Sequence, residues 1–200
     1  MKPLVWCDLE TTGLNPSPNA LNQRVDRLLE VAVAVTDEHF QLQWEDTWTL
    51  PCPDLEAAYT AANPNVQKMH TDNGLWADVH AVTTELETKY QKPIAESSAE
   101  FIAFAEGKIL QELAKFGVGI SSRARMHGYN PSFDLSFLRE SMFRFYSCFD
   151  HNKGDVRALE HFCLLWGKQK HKPVNHSHRA LDDLHDEIAA AIHYRGELGL

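Results

Sequence analysis

The sequence contains no run of about 18 apolar residues, the length that a membrane-spanning helix needs. Cysteine is also scarce: four cysteines are scattered through 200 residues, and none forms a Cys-x-x-Cys pair. This arrangement argues against a zinc knuckle and indicates free thiols in a reducing compartment. The first residues lead directly into a predicted strand and lack the pattern of a signal peptide. We therefore expect a cytoplasmic protein that does not associate with membranes.

Positive charge is in short supply. The 19 Lys and Arg residues are outnumbered by 28 Asp and Glu residues, which gives a net charge of −9. That is the wrong sign for a protein that coats long nucleic acid non-specifically, but it allows one that holds a few nucleotides through bound cations. The chain also lacks internal repeats and low-complexity tracts. Its length and its hydrophobic content of 44% fit one folded domain over residues 1–200.

What the sequence does have is a short apolar run near its start, Leu4–Glu10, which predicts a buried strand. Side chains on a strand alternate between its faces, so Asp8 and Glu10 share one face while Cys7 and Leu9 point into the core. Two neighbouring carboxylates repel each other and are costly to desolvate. Because no Lys or Arg lies nearby in the local sequence, a divalent cation with oxygen ligands is the natural partner. The alternative is that Glu10 lies past the strand end in solvent and that Asp8 caps a turn.

The order of the remaining elements indicates the fold class. Two more strands follow, and short turns between consecutive strands predict a three-strand antiparallel meander. Downstream, a capping-box pattern at Ser97–Glu100 predicts a helix start, and Gly117 predicts its end. Predicted boundaries are strands over 27–37 and 40–50, helical turns over 55–69, a loop over 70–75 and a strand end at 126–128. Helices are predicted from an opening at 129–134, over 155–166 and over about 179–197. We expect an α/β fold in which a mixed sheet, meander plus parallel strands, is covered by helices on both faces.

Further acids lie at the starts of predicted helices. Asp134 follows a Gly-Tyr-Asn-Pro turn, and Asp182 and Asp183 lie in the first turn of the last helix, with His178 five residues before Asp183. Taken singly, each of these acids is explained by the helix dipole, which stabilises carboxylates in a first turn. Their combination with Asp8 and Glu10 favours a shared cation site.

Three stretches together resemble the DEDDh family of 3′–5′ exonucleases, and within it the oligoribonuclease family. They are Asp8-Leu9-Glu10-Thr11-Thr12-Gly13-Leu14, Gly128-Tyr129-Asn130-Pro131-Ser132-Phe133-Asp134 and His178-Arg179-Ala180-Leu181-Asp182-Asp183. The resemblance extends over nearly the whole chain in order. It implies a ribonuclease H-like fold and metal-dependent hydrolysis of phosphodiester bonds in short single-stranded RNA or DNA, releasing nucleoside 5′-monophosphates. A homodimer is also implied.

The resemblance assigns roles to the shared residues. Two Mg²⁺ or Mn²⁺ ions would be bridged by Asp8, one held by Glu10 and Asp183 and the other served by Asp134, while His178 takes the proton from the attacking water. His176 and Asp182 are the rivals of His178 and Asp183, and the family register favours the latter pair. The implied substrate contacts are Thr11, Gly13, Leu14, His70 and Asn130. Of these, His70 could equally be an ordinary loop histidine and Asn130 could only hold its turn; Glu30 could lie near the site or serve structure.

The chain also departs from the oligoribonuclease pattern. The Trp expected shortly before His70 is absent from Asn63–Met69, and Asn130 replaces the Ser of the family turn. We therefore do not expect activity to be restricted to dinucleotides. We expect an exonuclease that acts on short single strands over a broader range of lengths. Two alternatives stay open: a proofreading DNA exonuclease that works with a polymerase, and a nucleic-acid-binding module that has lost turnover.

Overall fold

The computed structural model describes residues 3–18, 25–90, 92–174 and 177–200. Within these ranges five strands form one sheet in the order β3-β2-β1-β4-β5. The strands are β1 (Leu4–Thr11), β2 (Leu28–Thr36), β3 (Leu42–Thr49), β4 (Ala124–Gly128) and β5 (Phe149–Asp155). The helices are α1 (Leu55–Ala61), α2 (Pro64–Asp72), α3 (Leu75–Lys89), α4 (Ile94–Lys115), α5 (Pro131–Ser141), α6 (Phe143–Tyr146), α7 (Val156–Leu165) and α8 (Ala180–Glu197).

The sheet is mixed, as predicted. β1, β2 and β3 pair antiparallel, whereas β4 joins β1 in parallel and β5 joins β4 in parallel. β2 is buried along its whole length because it lies between two strands and under helices, which explains its Val-rich sequence. The predicted α/β class, an antiparallel meander extended by parallel strands and flanked by helices, is confirmed.

The two faces of β1 serve different layers. Val5, Cys7 and Leu9 pack in a core that also contains Ile109 and Leu113 of α4. Trp6, on the opposite face, packs in a second core with residues of α8, among them Leu184, Ile188 and Tyr194. The predicted alternation therefore holds, and it directs Asp8 and Glu10 towards α8.

Two predicted local features were wrong, and one strand was missed. The capping box does not start α4, because the helix begins at Ile94 and the Ser97 N–H already donates to the Pro93 carbonyl oxygen. The loop predicted over 70–75 is mostly helix, since α2 continues through His70 to Asp72. Strand β5 was not predicted at all. None of the helices in the described ranges is both long enough and apolar enough to span a membrane. All four cysteines are buried and unpaired.

Candidate active site

Three carboxylates meet where β1 passes the start of α8. Asp8, Glu10 and Asp183 each offer an oxygen, and these oxygens all lie within 4.8 Å of one another. Glu10 is buried, while Asp8 and Asp183 are partly exposed. Hard oxygen donors at this spacing are suited to a divalent cation such as Mg²⁺ or Mn²⁺.

Glu30 fixes the first turn of α8, and therefore Asp183. Its carboxylate accepts the Ala180 N–H at 2.9 Å and two guanidinium N–H groups of Arg179 at 2.6 and 3.1 Å. Arg179 also contacts Asp78 at 2.9 Å. Glu30 is thus a structural anchor beside the site, one of the two alternatives left open by the sequence.

The same turn separates the two adjacent acids. Asp182 accepts a hydrogen bond from the Ser177 hydroxyl at 2.6 Å, which holds its carboxylate against the preceding loop. Asp183 instead joins the group that contains Asp8 and Glu10. The geometry therefore places Asp183, and not Asp182, among the clustered carboxylates.

Asp134 approaches Asp8 from α5. It is 4% exposed, and the nearby Leu9 backbone of β1 lowers the pKa of its carboxyl, which shows that Asp134 lies beside β1. The preceding turn is held by Asn130, which adopts a left-handed conformation (φ 58°) and donates its N–H to Asp155 Oδ1 at 3.2 Å. Asp134 lies outside the close group of three, but its charge acts on Asp8.

The electrostatics of the cluster call for a cation. Burial raises the pKa of Asp8 well above its ordinary value, and the neighbouring carboxylates raise it further. Burial, with Asp183 and Glu30 nearby, raises the pKa of Glu10 to about 9, partly offset by Arg179. Burial also raises the pKa of Asp134 to about 7. Raised pKa values mean that a nearby positive ion is needed to keep all of these carboxylates ionised at neutral pH, so the donor set fits divalent cations.

His178 lies at the mouth of the site. Its Nδ1 is 3.8 Å from Asp183 Oδ2, and its side chain is half-exposed. It lines a cavity of about 840 Å³ together with Asp8 and Asp183. The Asn73 side-chain amide donates to the carbonyl oxygens of Ser177 and His178, which holds this segment in place. His176, its rival by sequence, lies outside the described residues.

The predicted substrate contacts surround the end of β1. Thr11 donates its hydroxyl to the Gly13 carbonyl oxygen at 2.7 Å, and Leu14 projects outward with 77% of its surface exposed. His70 is fully buried, and its Nε2 donates to the Thr11 carbonyl oxygen at 3.0 Å. Burial lowers the pKa of His70, so the imidazole is neutral where it approaches Glu10 Oε2 at 3.7 Å. His70 therefore supports the backbone that follows Asp8 and Glu10 through its contact with Thr11, from a fully buried position.

Sequence reasoning missed one acid of the site, Glu187. It lies one helical turn after Asp183 on α8, lines the same cavity, and is 4% exposed. Its Oε1 accepts the Tyr129 N–H at 2.7 Å. The spacing of four residues from Asp183 was the available signal, because residues i and i+4 share a helix face. On the other side of β1, Cys7 is fully buried, and burial together with Asp134, Asp8 and Glu187 raises the pKa of its thiol.

Comparison with known proteins places this geometry in a family. No protein-family model matches the chain. The oligoribonuclease of Baumannia cicadellinicola subsp. Homalodisca coagulata is 30% identical over 194 residues, which cover 96% of this chain and 91% of that protein. The oligoribonuclease of Arabidopsis thaliana is 30% identical over 197 residues, covering 97% of this chain and 77% of that protein.

Solved structures support the fold. E. coli exonuclease I in complex with a 5cy-dT13 oligonucleotide matches 98% of this chain with a TM-score of 0.57 and 16% identity. Exonuclease I from Methylocaldum szegediense matches 98% with a TM-score of 0.53 and 20% identity. This chain spans 41% of the length of each exonuclease I chain. These matches agree with the predicted ribonuclease H-like fold, and the sequence matches show that the chain belongs to the oligoribonuclease family.

Proposed function

We propose that residues 1–200 form one exonuclease domain that hydrolyses short single-stranded RNA or DNA from the 3′ end and releases nucleoside 5′-monophosphates. Family membership supports the 3′–5′ exonuclease activity. The observation that carries the proposal is the convergence of Asp8, Glu10 and Asp183, whose oxygens lie within 4.8 Å of one another. A cluster of neighbouring carboxylates disfavours folding through mutual repulsion unless cations compensate it.

Two Mg²⁺ or Mn²⁺ ions are the proposed cofactors. Asp8 would contact both ions, Glu10 and Asp183 would hold one, and Asp134 would serve the other. Bound there, the ions would supply positive charge to the scissile phosphate and to the attacking water. His178 would accept the proton of that water, since its imidazole lies at the mouth of the site with Nδ1 3.8 Å from Asp183 Oδ2. Imidazole is the side chain that most often serves as a general base near neutral pH.

The cavity around the acids is also suited to a nucleotide strand. Besides Asp8, it is lined by Arg157, Lys170 and Lys172, which offer positive charge to phosphates away from the cluster. At the end of β1, exposed Leu14 and the neighbouring Thr11 are the residues proposed to contact the terminal nucleotide.

Labelled RNA and DNA oligomers of two, five and twenty nucleotides test this function. We expect Mg²⁺- or Mn²⁺-dependent shortening from the 3′ end for all three lengths, abolished by EDTA. Activity confined to the dinucleotide would contradict the broad length range. Binding of the oligomers without hydrolysis under any divalent cation would instead favour a binding module.

The resemblance also implies a homodimer, and we include it in the proposal. Helix α7 supports it by exposing apolar side chains: Phe162 is 51% exposed, Leu165 66%, and the following Trp166 60%. Such a face is typical of a protein interface. Light scattering after size exclusion should give a dimer for the wild type and a monomer for Leu165→Glu. A monomeric wild type would contradict the dimer without affecting the proposed activity.

A further inference from the structure

Glu187 is a buried acid that the proposed mechanism does not use. Its side chain is 4% exposed and lines the cavity that contains Asp8, His178 and Asp183. One carboxylate oxygen, Oε1, accepts the Tyr129 N–H at 2.7 Å. The other, Oε2, is buried and has no hydrogen-bond partner among the described residues. A buried carboxylate oxygen without a partner is costly, so it points to a missing positive or hydrogen-bonding group.

The backbone makes room for this carboxylate. A Cβ atom at Gly128 would lie 3.2 Å from Glu187 Oε2 and 3.2 Å from the Cys7 carbonyl oxygen, so the absence of a side chain lets the acid approach β1 and β4 closely. Among the charges that act on Asp8, Glu187 has the largest effect, ahead of Asp134 and Glu10. Glu187 therefore belongs to the acid cluster although it lies outside the close group of three.

Glu187 bears on the unequal number of carboxylates assigned to the two cation positions. On one side of Asp8, Glu10 and Asp183 offer two carboxylates to a cation. For the second cation position, Asp134 is the only carboxylate assigned besides Asp8. Glu187 Oε1 accepts the N–H of Tyr129, in the turn that leads into α5 and Asp134, and among the neighbouring charges Asp134 acts more strongly on Glu187 than Asp183 does.

We propose that Glu187 contributes a carboxylate to the second cation position, the one shared by Asp8 and Asp134. This inference rests on the proposed function and adds a fifth acid to its site. It predicts that the second position binds divalent cations more tightly than Asp8 and Asp134 alone would allow.

A purely structural role is the competing explanation, since Glu187 Oε1 also holds the turn before Asp134 through the Tyr129 N–H. Glu187→Gln separates the two, because the glutamine amide oxygen can still accept that N–H while the charge is lost. Asp186→Asn is a matched control. Asp186 is adjacent on α8, accepts the Val174 N–H at 3.1 Å, and its substitution removes the same charge from the same cavity.

The test is calorimetric titration of the full chain with Mn²⁺, combined with thermal unfolding with and without Mn²⁺. For Glu187→Gln we expect Mn²⁺ affinity to fall about tenfold or more, as for loss of a charged ligand. We also expect the cation-free protein to unfold at a higher temperature than wild type, because an amide is buried at less cost than a carboxyl group, and Mn²⁺ to stabilise it less. Asp186→Asn should bind Mn²⁺ within about twofold of wild type.

Unchanged Mn²⁺ affinity in Glu187→Gln would overturn the inference, and so would an equal loss in Asp186→Asn. A lower unfolding temperature of cation-free Glu187→Gln with normal Mn²⁺ affinity would show that the residue serves structure alone. A wild type that binds no Mn²⁺ would overturn the proposed function as well. A wild type that binds Mn²⁺ and hydrolyses oligomers, with Glu187→Gln unchanged in affinity, would leave the function in place and remove this inference.

Discussion

Glu10 on β1 and Glu30 on β2 are paired across the two strands, yet the charges around their carboxylates differ in sign. Both are buried, at 7% and 2% exposure. Glu30 is bound by the Arg179 guanidinium and by the Ala180 N–H, so the chain itself supplies its positive partners. Glu10 has Asp183 within 4.8 Å and a neutral His70 beside it, and its pKa is raised to about 9.

The contrast distinguishes a structural acid from one available for binding. Where a carboxylate holds the fold together, the protein provides a cation and backbone donors. Where the protein leaves a group of carboxylates under-compensated, the balancing charge must come from solution. Of these two facing acids, Glu30 on β2 is compensated by the chain itself, whereas Glu10 on β1 lies among other carboxylates.

The largest effect is expected at the cluster itself. Asp183→Asn should lower kcat by ~10⁴-fold, about 5 kcal/mol, because a cation ligand is lost. Asp182→Asn is the matched control: its carboxylate accepts from the Ser177 hydroxyl at 2.6 Å, so its loss should lower kcat less than about tenfold. Single-turnover hydrolysis of a labelled oligomer measures both. Equal losses in the two variants would contradict the assignment of Asp183.

His178→Ala should come next. Loss of a general base should lower kcat by about 10³-fold while Mn²⁺ affinity measured by calorimetry stays the same. His185→Ala provides the control, since His185 lies on α8 beside Glu45, away from the cavity, and should leave kcat unchanged. Full activity in His178→Ala would end its assignment as the base.

The structural acid should respond mainly in stability. Glu30→Gln removes the charged partner of Arg179 and should lower the free energy of unfolding by about 2 kcal/mol, with a roughly tenfold lower kcat because the first turn of α8 is less firmly held. Asp78→Asn weakens the other contact of Arg179, which is more exposed, and should cost less than about 1 kcal/mol. Urea unfolding measures both. A Glu30→Gln protein of wild-type stability would break the comparison between the two acids.

The last effect concerns the pH dependence of stability without cations. The pKa of Glu10 is about 9 in the folded protein and ordinary, near 4.5, when unfolded, so the folded state binds more protons between these values. In EDTA, stability should therefore be greatest below pH ~4.5 as far as this group is concerned and should fall as pH rises towards ~9. Millimolar Mg²⁺ should flatten that fall, because cations replace the protons. Thermal unfolding across this range, with and without Mg²⁺, tests it; identical profiles would contradict the account.

The local part of the site could be predicted from the sequence. Strand alternation placed Asp8 and Glu10 on one face, and the structure brings Asp183 to them. The choice between Asp182 and Asp183 came from the family register, because two adjacent residues at a helix start cannot be distinguished without knowing which one the preceding loop binds. Glu187 was visible in principle through its i+4 spacing, but an acid on a helix is ordinary in sequence and conspicuous only when buried.

Long-range contacts and sheet edges could not be predicted in this way. Arg179 and Glu30 are 149 residues apart, so their ion pair depends on the assembled fold. β5 begins at Phe149 and continues through polar residues, because it lies at the edge of the sheet and needs little apolar surface. The helix α2 was cut short in prediction at His70, since its polar sequence over 70–73 reads as a loop when its burial is unknown.

The reactivity of Cys7 offers a way to measure local opening of the structure around the acid cluster. Its sulfur is sealed between the core and the carboxylates, and the raised pKa of its thiol keeps it protonated, so alkylating reagents reach a reactive thiolate there only when β1 separates from its neighbours. The rate of Cys7 alkylation, measured by peptide mass spectrometry, would then report how often the site opens spontaneously. Divalent ions bound between β1, α8 and α5 would lower the rate of Cys7 alkylation, even in a variant that has lost its hydrolytic activity.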